Sequence, residues 1–288
     1  MCQQPAIPLI NHPIVFYGAG SMAEAIVRGM IARNVVEANR IIMLNRSSNE
    51  RLAELRSRYG VLGYNSSEQK TEALRSAPVI VLAMKPKDAA EALRSLGPLL
   101  SPDQLIISVI AGLTIRTIQG LLGTAQPVVR SMPNTSSSIG LGATGIAFSK
   151  EVGDESRKTA LNIFEAVGLT AVIDEERMET LTGISGSGPA YIYYMMEAMI
   201  AAGIRGGLPL EQSRELTVQT VLGAARMVQQ TGEEPAALRK KVTSPNGSTQ
   251  AAIEVLERGD FFETVISAVN RCAERSREMG AALEDELH

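Results

Sequence analysis

A polar, turn-forming segment, residues 242–249, lies close to the C-terminal end of the chain and reads Val-Thr-Ser-Pro-Asn-Gly-Ser-Thr. Proline presets φ, and asparagine and glycine tolerate a left-handed backbone, so this segment predicts a turn. A helix is predicted over 248–257, with Ser248 and Thr249 in its first turn. Free N–H groups and hydroxyls at a helix start can bind a small anion such as a carboxylate. An ordinary capped turn that binds nothing is the alternative, and the local sequence leaves both open.

A second candidate loop, near the other end of the chain, has the spacing Gly-x-Gly-x-x-Ala at Gly18, Gly20 and Ala23. Gly18 permits a tight turn, Gly20 lets a pyrophosphate approach the backbone, and Ala23 lets a helix pack closely on a strand. The loop follows an apolar run over 14–17 and opens a helical pattern over 24–32. It therefore predicts dinucleotide binding, with a purely structural turn as the alternative.

The end of the second predicted strand, residues 40–45, bears on the choice of cofactor. An NAD-selective site usually has Asp or Glu there, whereas this chain has Asn45-Arg46-Ser47. Arg46 can form paired charge-assisted bonds to a 2′-phosphate, and Ser47 can add a hydroxyl donor. The sequence favours NADP(H), with NAD(H) second. A solvated loop charge is the alternative for Arg46.

Two further strand ends place polar residues at the same edge, because ligands of open α/β sheets lie outside the carboxyl ends of the strands. Lys85 should face the cofactor cleft, and Pro86 should fix the turn and start the next helix. The same argument applies to residues 130–135, which include Arg130 and Asn134. A solvated lysine is the alternative for Lys85.

The elements that must position these residues alternate in the first half of the chain. Continuous apolar runs separated by helical segments indicate a parallel sheet covered on both faces, and right-handed crossovers make it doubly wound. The runs occupy residues 14–17, 40–45, 79–83, 105–109 and 127–130. We predict an α/β Rossmann domain, doubly wound with a mainly parallel sheet, over 1–172.

The alternation stops after residue 173, and helical patterns follow to the end of the chain. We predict an all-α dimerisation and substrate-binding domain over 173–288. Its segment 191–204 is apolar on all sides, which is typical of a buried helix. Since a small helical domain has difficulty burying such a helix alone, we expect a homodimer built through these helices.

Composition excludes several other classes of protein. The 288 residues carry a net charge of −3 without a Lys/Arg cluster, which argues against a nucleic-acid partner. No apolar stretch has membrane-spanning length, and residues 1–13 lack a signal-peptide pattern. Cys2 and Cys272 form no disulfide framework, although a bridge between them stays open, so a cytoplasmic location is expected. His12 and His288 are the only histidines, which argues against a His-based metal site or catalytic histidine.

Five motifs occur in an order and spacing that resemble the pyrroline-5-carboxylate reductase family. They are Gly18–Ala23, Met84–Pro86, Met132–Thr135, Gly183–Tyr191 and the segment 235–259. The resemblance covers essentially the whole chain. It implies a Rossmann domain followed by a helical dimerisation domain, with dimers that sometimes assemble into decamers.

The resemblance also implies a reaction: hydride transfer from NAD(P)H to the C=N carbon of 1-pyrroline-5-carboxylate, giving L-proline in the last step of proline biosynthesis. The family's threonine, which hydrogen-bonds the ring nitrogen, falls on Thr249. The backbone N–H groups that hold the carboxylate fall on Gly247, Ser248 and Thr249. Imine reduction needs a proton or hydrogen bond at nitrogen but no metal or covalent nucleophile, and the local chemistry agrees with this.

The candidate residues fall into two groups. Those for the cofactor are Gly18, Gly20, Ser21, Met22, Ala23, Asn45, Arg46, Ser47, Ala83, Lys85, Pro86 and Asn134. Those for the substrate are Val242, Ser244, Gly247, Ser248 and Thr249, with Thr249 also the catalytic candidate. The family commonly has Gly at the position of Asn246, which we expect to adopt a left-handed backbone. Asn65 is the nearest candidate for an adenosine-binding asparagine.

Two other functions stay open. One is a related Rossmann dehydrogenase acting on an imine or a 3-hydroxy acid. The 3-hydroxy-acid enzymes use a lysine on the first long helix of the helical domain, and segment 191–204 contains none. The other is a catalytically silent, nucleotide-binding regulatory paralogue, against which the retained Thr249 and both glycines argue.

Overall fold

The computed structural model of the chain describes residues 9–46 and 48–287. It divides into two compact units: unit 1 contains Met1–Ser187 and Arg271–His288, and unit 2 contains Gly188–Asn270. Unit 2 is therefore inserted into unit 1 along the sequence. The units divide after Ser187 and after Asn270, not at residue 172, where the sequence predicts a domain boundary. The domain boundary at residue 172 stays a prediction.

Unit 1 is built on one eight-stranded sheet, whose order is β3-β2-β1-β4-β5-β6-β7-β8. The strands are β1 Ile14–Tyr17, β2 Ile41–Leu44, β3 Leu62–Tyr64, β4 Val79–Leu82, β5 Leu105–Ser108, β6 Val128–Met132, β7 Gly142–Phe148 and β8 Gly168–Val172. All neighbouring pairs are parallel except β6 and β7, which are antiparallel. This confirms the predicted doubly wound, mainly parallel sheet.

Helices cover both faces of this sheet. They are α1 Ser21–Ala32, α2 Asn49–Tyr59, α3 Ser67–Ser76, α4 Ala89–Leu96, α5 Ile115–Leu122, α6 Asp154–Glu165 and α7 Met178–Leu181. Alternate residues of β1 point into different cores, with Phe16 in one and Val15 in the other. Burial on both faces explains why the central strands read as continuous apolar runs.

Unit 2 is all-α, as predicted. It contains α8 Gly188–Arg205, α9 Leu210–Thr231, α10 Pro235–Lys241, α11 Ser248–Arg258 and the beginning of α12 Phe261–Leu287. α8 and α9 approach closely at Gly203, where a Cβ would lie 2.7 Å from Ser213 Oγ. No residue of α8 is buried within the single chain. The burial expected for this helix is therefore not achieved by one copy of the chain.

The last part of α12 belongs to unit 1 and packs against the loop before α5. A Cβ on Gly280 would lie 3.0 Å from the carbonyl oxygen of Gly112. The Glu284 carboxylate accepts hydrogen bonds from the hydroxyls of Thr114, at 2.9 Å, and Thr117. This helix end thus completes the packing of unit 1. Over the described ranges, no helix is both long and apolar enough to span a membrane.

Candidate functional site

The carboxyl ends of the central strands in unit 1 lie in one row. Tyr17, the last residue of β1, pairs with Leu44 of β2 and Leu82 of β4. Leu82 in turn pairs with Ser108 of β5. The glycine loop and the loops that begin at Asn45 and Ala83 therefore start side by side, as the sequence predicts.

Gly18 is held against the end of β4. Its φ is 125°, and an added Cβ would lie 2.4 Å from the carbonyl oxygen of Ala83. Its N–H donates to the carbonyl of Leu44 at 3.1 Å. Gly18 is therefore required by close approach of a neighbouring strand as well as by the turn that the sequence predicts.

Gly20 leaves open space in front of α1. It is the N-cap residue of α1. A Cβ added to it would have no heavy atom within 4 Å, its two chain neighbours aside. The N–H groups of Ser21, Met22 and Ala23 have no acceptor inside the helix, because they belong to its first turn. Ala23 itself is fully buried. This arrangement fits a pyrophosphate, which a helix N-terminus stabilises through its N–H groups and dipole.

An ion-pair network that the sequence did not reveal joins α1 to α2. Glu24 accepts hydrogen bonds from Arg51, from Arg58 at 2.8 Å and from the Tyr59 hydroxyl at 2.7 Å. Burial alone would raise the pKa of Glu24, but these hydrogen bonds and the Arg51 charge lower it to about 2. No spacing rule could have found the network, because its partners lie 27 or more residues from Glu24.

The loop after β2 presents Arg46 to solvent, with 75% of its side chain exposed, and pairs it with Asp88 at 3.1 Å. Asn45 is half-buried, and Ser47 lies outside the described residues. The nearby Tyr17 hydroxyl has a raised pKa, because it is partly buried and faces Glu91, while Arg46 opposes this shift. Arg46 is therefore accessible to an anion, provided that it releases or shares Asp88.

The loop after β4 contains the other cofactor candidates of this edge. Ala83 is half-buried and donates its N–H to the carbonyl of Tyr17 at 3.0 Å. Lys85 is exposed, and Pro86 opens a single 3-10 turn, Pro86–Asp88, before α4. Lys85 thus has the position that the sequence predicts, although its role stays a prediction.

Asn134 and Asn65 differ in how many hydrogen bonds their side-chain amides make within the protein. The side chain of Asn134, only 8% exposed, donates to the carbonyl of Ser185 at 2.9 Å and accepts from the N–H of Ala143 at 3.3 Å. Asn65 follows β3 and donates to Asn49 at 2.7 Å. Its buried Oδ1 has no hydrogen-bond partner among the described residues. Asn65 therefore retains an acceptor at the cofactor edge, whereas Asn134 braces the backbone.

Arg130 differs from the prediction that its segment faces the cleft. Its side chain is buried and forms ion pairs with Glu175 at 3.1 Å and Glu179 at 2.7 Å. A buried guanidinium must be paired, and these two carboxylates use its donors. Arg130 thus links β6 to the segment around α7 and is not presented to a ligand.

In unit 2, the predicted turn forms at Ser244–Gly247, where the N–H of Gly247 donates to the carbonyl of Ser244 at 3.0 Å. Asn246 has φ 58°, which confirms the expected left-handed backbone. Its N–H donates to the Gln250 side chain at 2.8 Å. Because the Gly247 N–H is already used in the turn, it is a weaker candidate for holding a carboxylate than the sequence suggests.

α11 begins at Ser248, as predicted, and no side chain caps it. The N–H groups of Ser248 and Thr249 have no acceptor within the helix. Ser248 is exposed, Thr249 is half-buried, and Val242 at the end of α10 is exposed. Throughout the described chain the Thr249 hydroxyl makes no hydrogen bond. This helix start therefore offers the backbone N–H groups and the hydroxyls of Ser248 and Thr249 to a small anionic molecule.

No group of three or more His, Cys, Asp or Glu side chains that could hold a metal ion occurs in residues 9–46 and 48–287.

The chain is similar to known proteins along most of its length. The family described as pyrroline-5-carboxylate reductase dimerisation matches residues 175–279, and the one described as NADP oxidoreductase, coenzyme F420-dependent, matches residues 13–112. Pyrroline-5-carboxylate reductase 1 of Bacillus spizizenii is 44% identical over 271 residues, which cover 94% of this chain and 90% of that protein. The reductase of Pseudomonas aeruginosa is 37% identical, with coverage of 94% and 97%.

Two solved structures have the same fold. The pyrroline-5-carboxylate reductase of Coxiella burnetii has a TM-score of 0.87 and 39% identity, covering 93% of this chain and 98% of that chain. The Plasmodium falciparum pyrroline carboxylate reductase with NADP bound has a TM-score of 0.84 and 31% identity, covering 95% and 100%. The similarity therefore extends through both units.

Proposed function

The chain belongs to the pyrroline-5-carboxylate reductase family, and we propose how its own residues perform the reaction of that family. It reduces 1-pyrroline-5-carboxylate to L-proline with NADP(H). The observation that carries this conclusion is sequence identity to curated reductases along nearly the whole chain. This favours the reductase over a 3-hydroxy-acid dehydrogenase or a silent paralogue.

The cofactor binds, in this proposal, at the carboxyl edge of the sheet. The open space at Gly20 and the N–H groups of Ser21, Met22 and Ala23 hold the pyrophosphate. Arg46 binds the 2′-phosphate through charge-assisted hydrogen bonds. When bound, the nicotinamide supplies the hydride, while the protein supplies position and electrostatics. The roles of Asn45, Ser47, Ala83, Lys85, Pro86 and Asn134 are predictions from the same edge.

The substrate binds, in the same proposal, at the start of α11. The N–H groups of Ser248 and Thr249 hold its carboxylate, and the turn at Ser244–Gly247 shapes the approach, with Val242 beside it. The Thr249 hydroxyl accepts a hydrogen bond from the protonated ring nitrogen and donates to the amine that develops. The positive charge of the protonated nitrogen makes the neighbouring carbon electrophilic, which imine reduction requires, and the hydroxyl holds that nitrogen in place.

The proposal is tested by mixing pure protein with 1-pyrroline-5-carboxylate and NADPH, then following loss of nicotinamide absorbance and formation of proline. We expect stoichiometric proline formation, and turnover with NADH serves as the comparison. Absence of turnover with both nucleotides would falsify the reductase assignment.

The chain self-associates, in keeping with its dimerisation domain. We propose a homodimer through the helices of unit 2, because large apolar side chains stay exposed on them in one copy. Examples are Tyr194 at 77% and Phe262 at 74% exposed. Light scattering at micromolar concentration should give at least a dimeric mass, and a monomeric mass would contradict the proposal. A decamer of five dimers is the larger assembly proposed, and sedimentation would separate the two.

We also propose that the enzyme works in the cytoplasm. Two cysteines without a framework support a reducing compartment. Fractionation of cells that produce the protein would test this location.

A further inference from the structure

Arg51, near the start of α2, is bonded to two loops at once. Its side-chain Nε donates to the carbonyl oxygen of Ala19, inside the glycine loop, at 3.1 Å. Its backbone N–H donates to the hydroxyl of Ser48 at 3.1 Å, which caps α2 at the end of the loop that contains Arg46. One residue therefore connects the loop after β1 to the loop after β2.

Each of the three nitrogens of the Arg51 guanidinium donates a hydrogen bond to the protein. Besides Ala19, the guanidinium binds the carboxylate of Glu24 and that of Glu54, the latter at 2.8 Å. Its side chain is 23% exposed, and the carboxylates of Glu24 and Glu54 neutralise its positive charge. Arg51 is consequently poorly suited to bind a phosphate itself.

Glu24 holds this arrangement from the first turn of α1. Its side chain is 18% exposed and also accepts from Arg58 and Tyr59, which lie in the last turn of α2. Its pKa of about 2 keeps it ionised at any pH near neutrality. The carboxylate thus fixes both ends of α2 against the start of α1.

Anchoring the Ala19 carbonyl has a geometric consequence for the glycine loop. In a trans peptide the C=O and the following N–H point in opposite directions, and the described residues contain no cis peptide. Fixing the carbonyl of Ala19 toward Arg51 therefore fixes the direction of the Gly20 N–H. That N–H then points away from the side of the loop on which Arg51 lies.

We propose that Arg51, held by Glu24, is a positioning residue for the dinucleotide: it orients the pyrophosphate loop and ties it to the loop that ends at Ser48. This rests on the proposed function, since it assumes a cofactor at the glycine loop. It assigns Arg51 a role distinct from the one proposed for Arg46, which is to bind the 2′-phosphate.

The test measures the Kd of NADPH and of NADH by calorimetry, together with KM and kcat, in Arg51→Lys and Glu24→Gln. Both variants keep the side-chain size close to the original. Arg51→Lys loses the guanidinium whose Nε reaches Ala19, and Glu24→Gln removes the negative charge that holds that guanidinium. We expect both Kd values to rise by the same factor, roughly tenfold for the loss of one charge-assisted hydrogen bond, with kcat nearly unchanged. Arg58→Ala is the matched control: it removes a partner of Glu24 that does not touch the loop, and both Kd values should stay within about twofold.

Each other outcome overturns the proposal. A rise for NADPH alone would make Arg51 a direct 2′-phosphate ligand. A lower melting temperature with unchanged Kd values would leave only a structural role. An effect of Arg51→Lys without one of Glu24→Gln would refute the proposal that Glu24 holds Arg51 in its positioning role. Calorimetry is independent of turnover, so failure of the reductase assay with wild-type protein is distinguishable from failure of this inference.

Discussion

Gly18 and Gly20 share one loop, yet we expect the same substitution to affect stability at one position and cofactor binding at the other. A Cβ at Gly18 would lie 2.4 and 2.5 Å from the carbonyl oxygen and carbon of Ala83 and 2.9 Å from the nitrogen of Met84. These are backbone atoms, which cannot rotate away. The φ of 125° adds strain for any residue with a side chain.

The two costs at Gly18 can be estimated separately. Strained backbone costs about 1–3 kcal/mol, and forcing an extra methyl into packed structure costs about as much again. Gly18→Ala should therefore lose about 2–6 kcal/mol of unfolding free energy, a large part of the roughly 5–15 kcal/mol of a typical domain.

Gly20, by contrast, has φ −77° and no heavy atom within 4 Å of an added Cβ. Gly20→Ala should change stability by less than about 1 kcal/mol.

Binding should show the reverse pattern for Gly20. Its added methyl would occupy the space where the pyrophosphate approaches, so the Kd of NADPH should rise roughly tenfold to a hundredfold. Urea denaturation without cofactor measures the first effect, and titration of the folded variant with NADPH measures the second. Wild-type stability of Gly18→Ala would refute the steric argument, and wild-type NADPH affinity of Gly20→Ala would refute the placement of the pyrophosphate.

Three further predictions concern the substrate loop, the cofactor choice and pH. Thr249→Val should lower kcat roughly 10²–10³-fold, by analogy with oxyanion-hole donors, whereas Thr249→Ser keeps the hydroxyl and should lose much less. An unchanged kcat for the valine variant in steady-state assays would show that Thr249 is not catalytic. Arg46→Ala should raise the Kd of NADPH about tenfold or more and leave that of NADH nearly unchanged, so equal losses would exclude 2′-phosphate binding. The pKa of Glu24 is lowered from 4.5 to about 2, so its contribution to stability is complete above the ordinary value and is lost as pH falls toward 2. Glu24→Gln should flatten that part of the stability curve in acid denaturation, and an unchanged slope would contradict the assignment.

The central strands could be predicted because burial on both faces makes them apolar runs. β3, β7 and β8 escaped prediction for physical reasons, and β8, at one edge of the sheet, is largely exposed. β3 has only three residues and lies at the edge of the sheet. β7 contains Gly142 and Gly145 in place of bulky side chains. Both glycines are crowded, since a Cβ on Gly142 would lie 2.9 Å from the carbonyl oxygen of Val167 and one on Gly145 would lie 2.5 Å from Leu181 Cδ1.

The candidate site was predictable where chemistry depends on adjacent residues and hidden where it depends on distant ones. The left-handed backbone of Asn246 and the helix start at Ser248 follow from local turn preferences. The pairing of Arg130 with Glu179 joins residues 49 positions apart, so only the fold could reveal that this arginine is buried.

The insertion of unit 2 into unit 1 also constrains the order of events on the ribosome. All eight strands of the sheet precede residue 173, so the sheet can pair while unit 2 is still being synthesised. The contacts of Gly280 with Gly112, and of Glu284 with Thr114, can form only after the whole helical segment has emerged. A nascent chain stalled before Arg271 would hold a paired sheet whose loop before α5 still lacks its covering helix. Protease sensitivity of that loop in stalled chains would report the moment at which translation completes the nucleotide-binding unit.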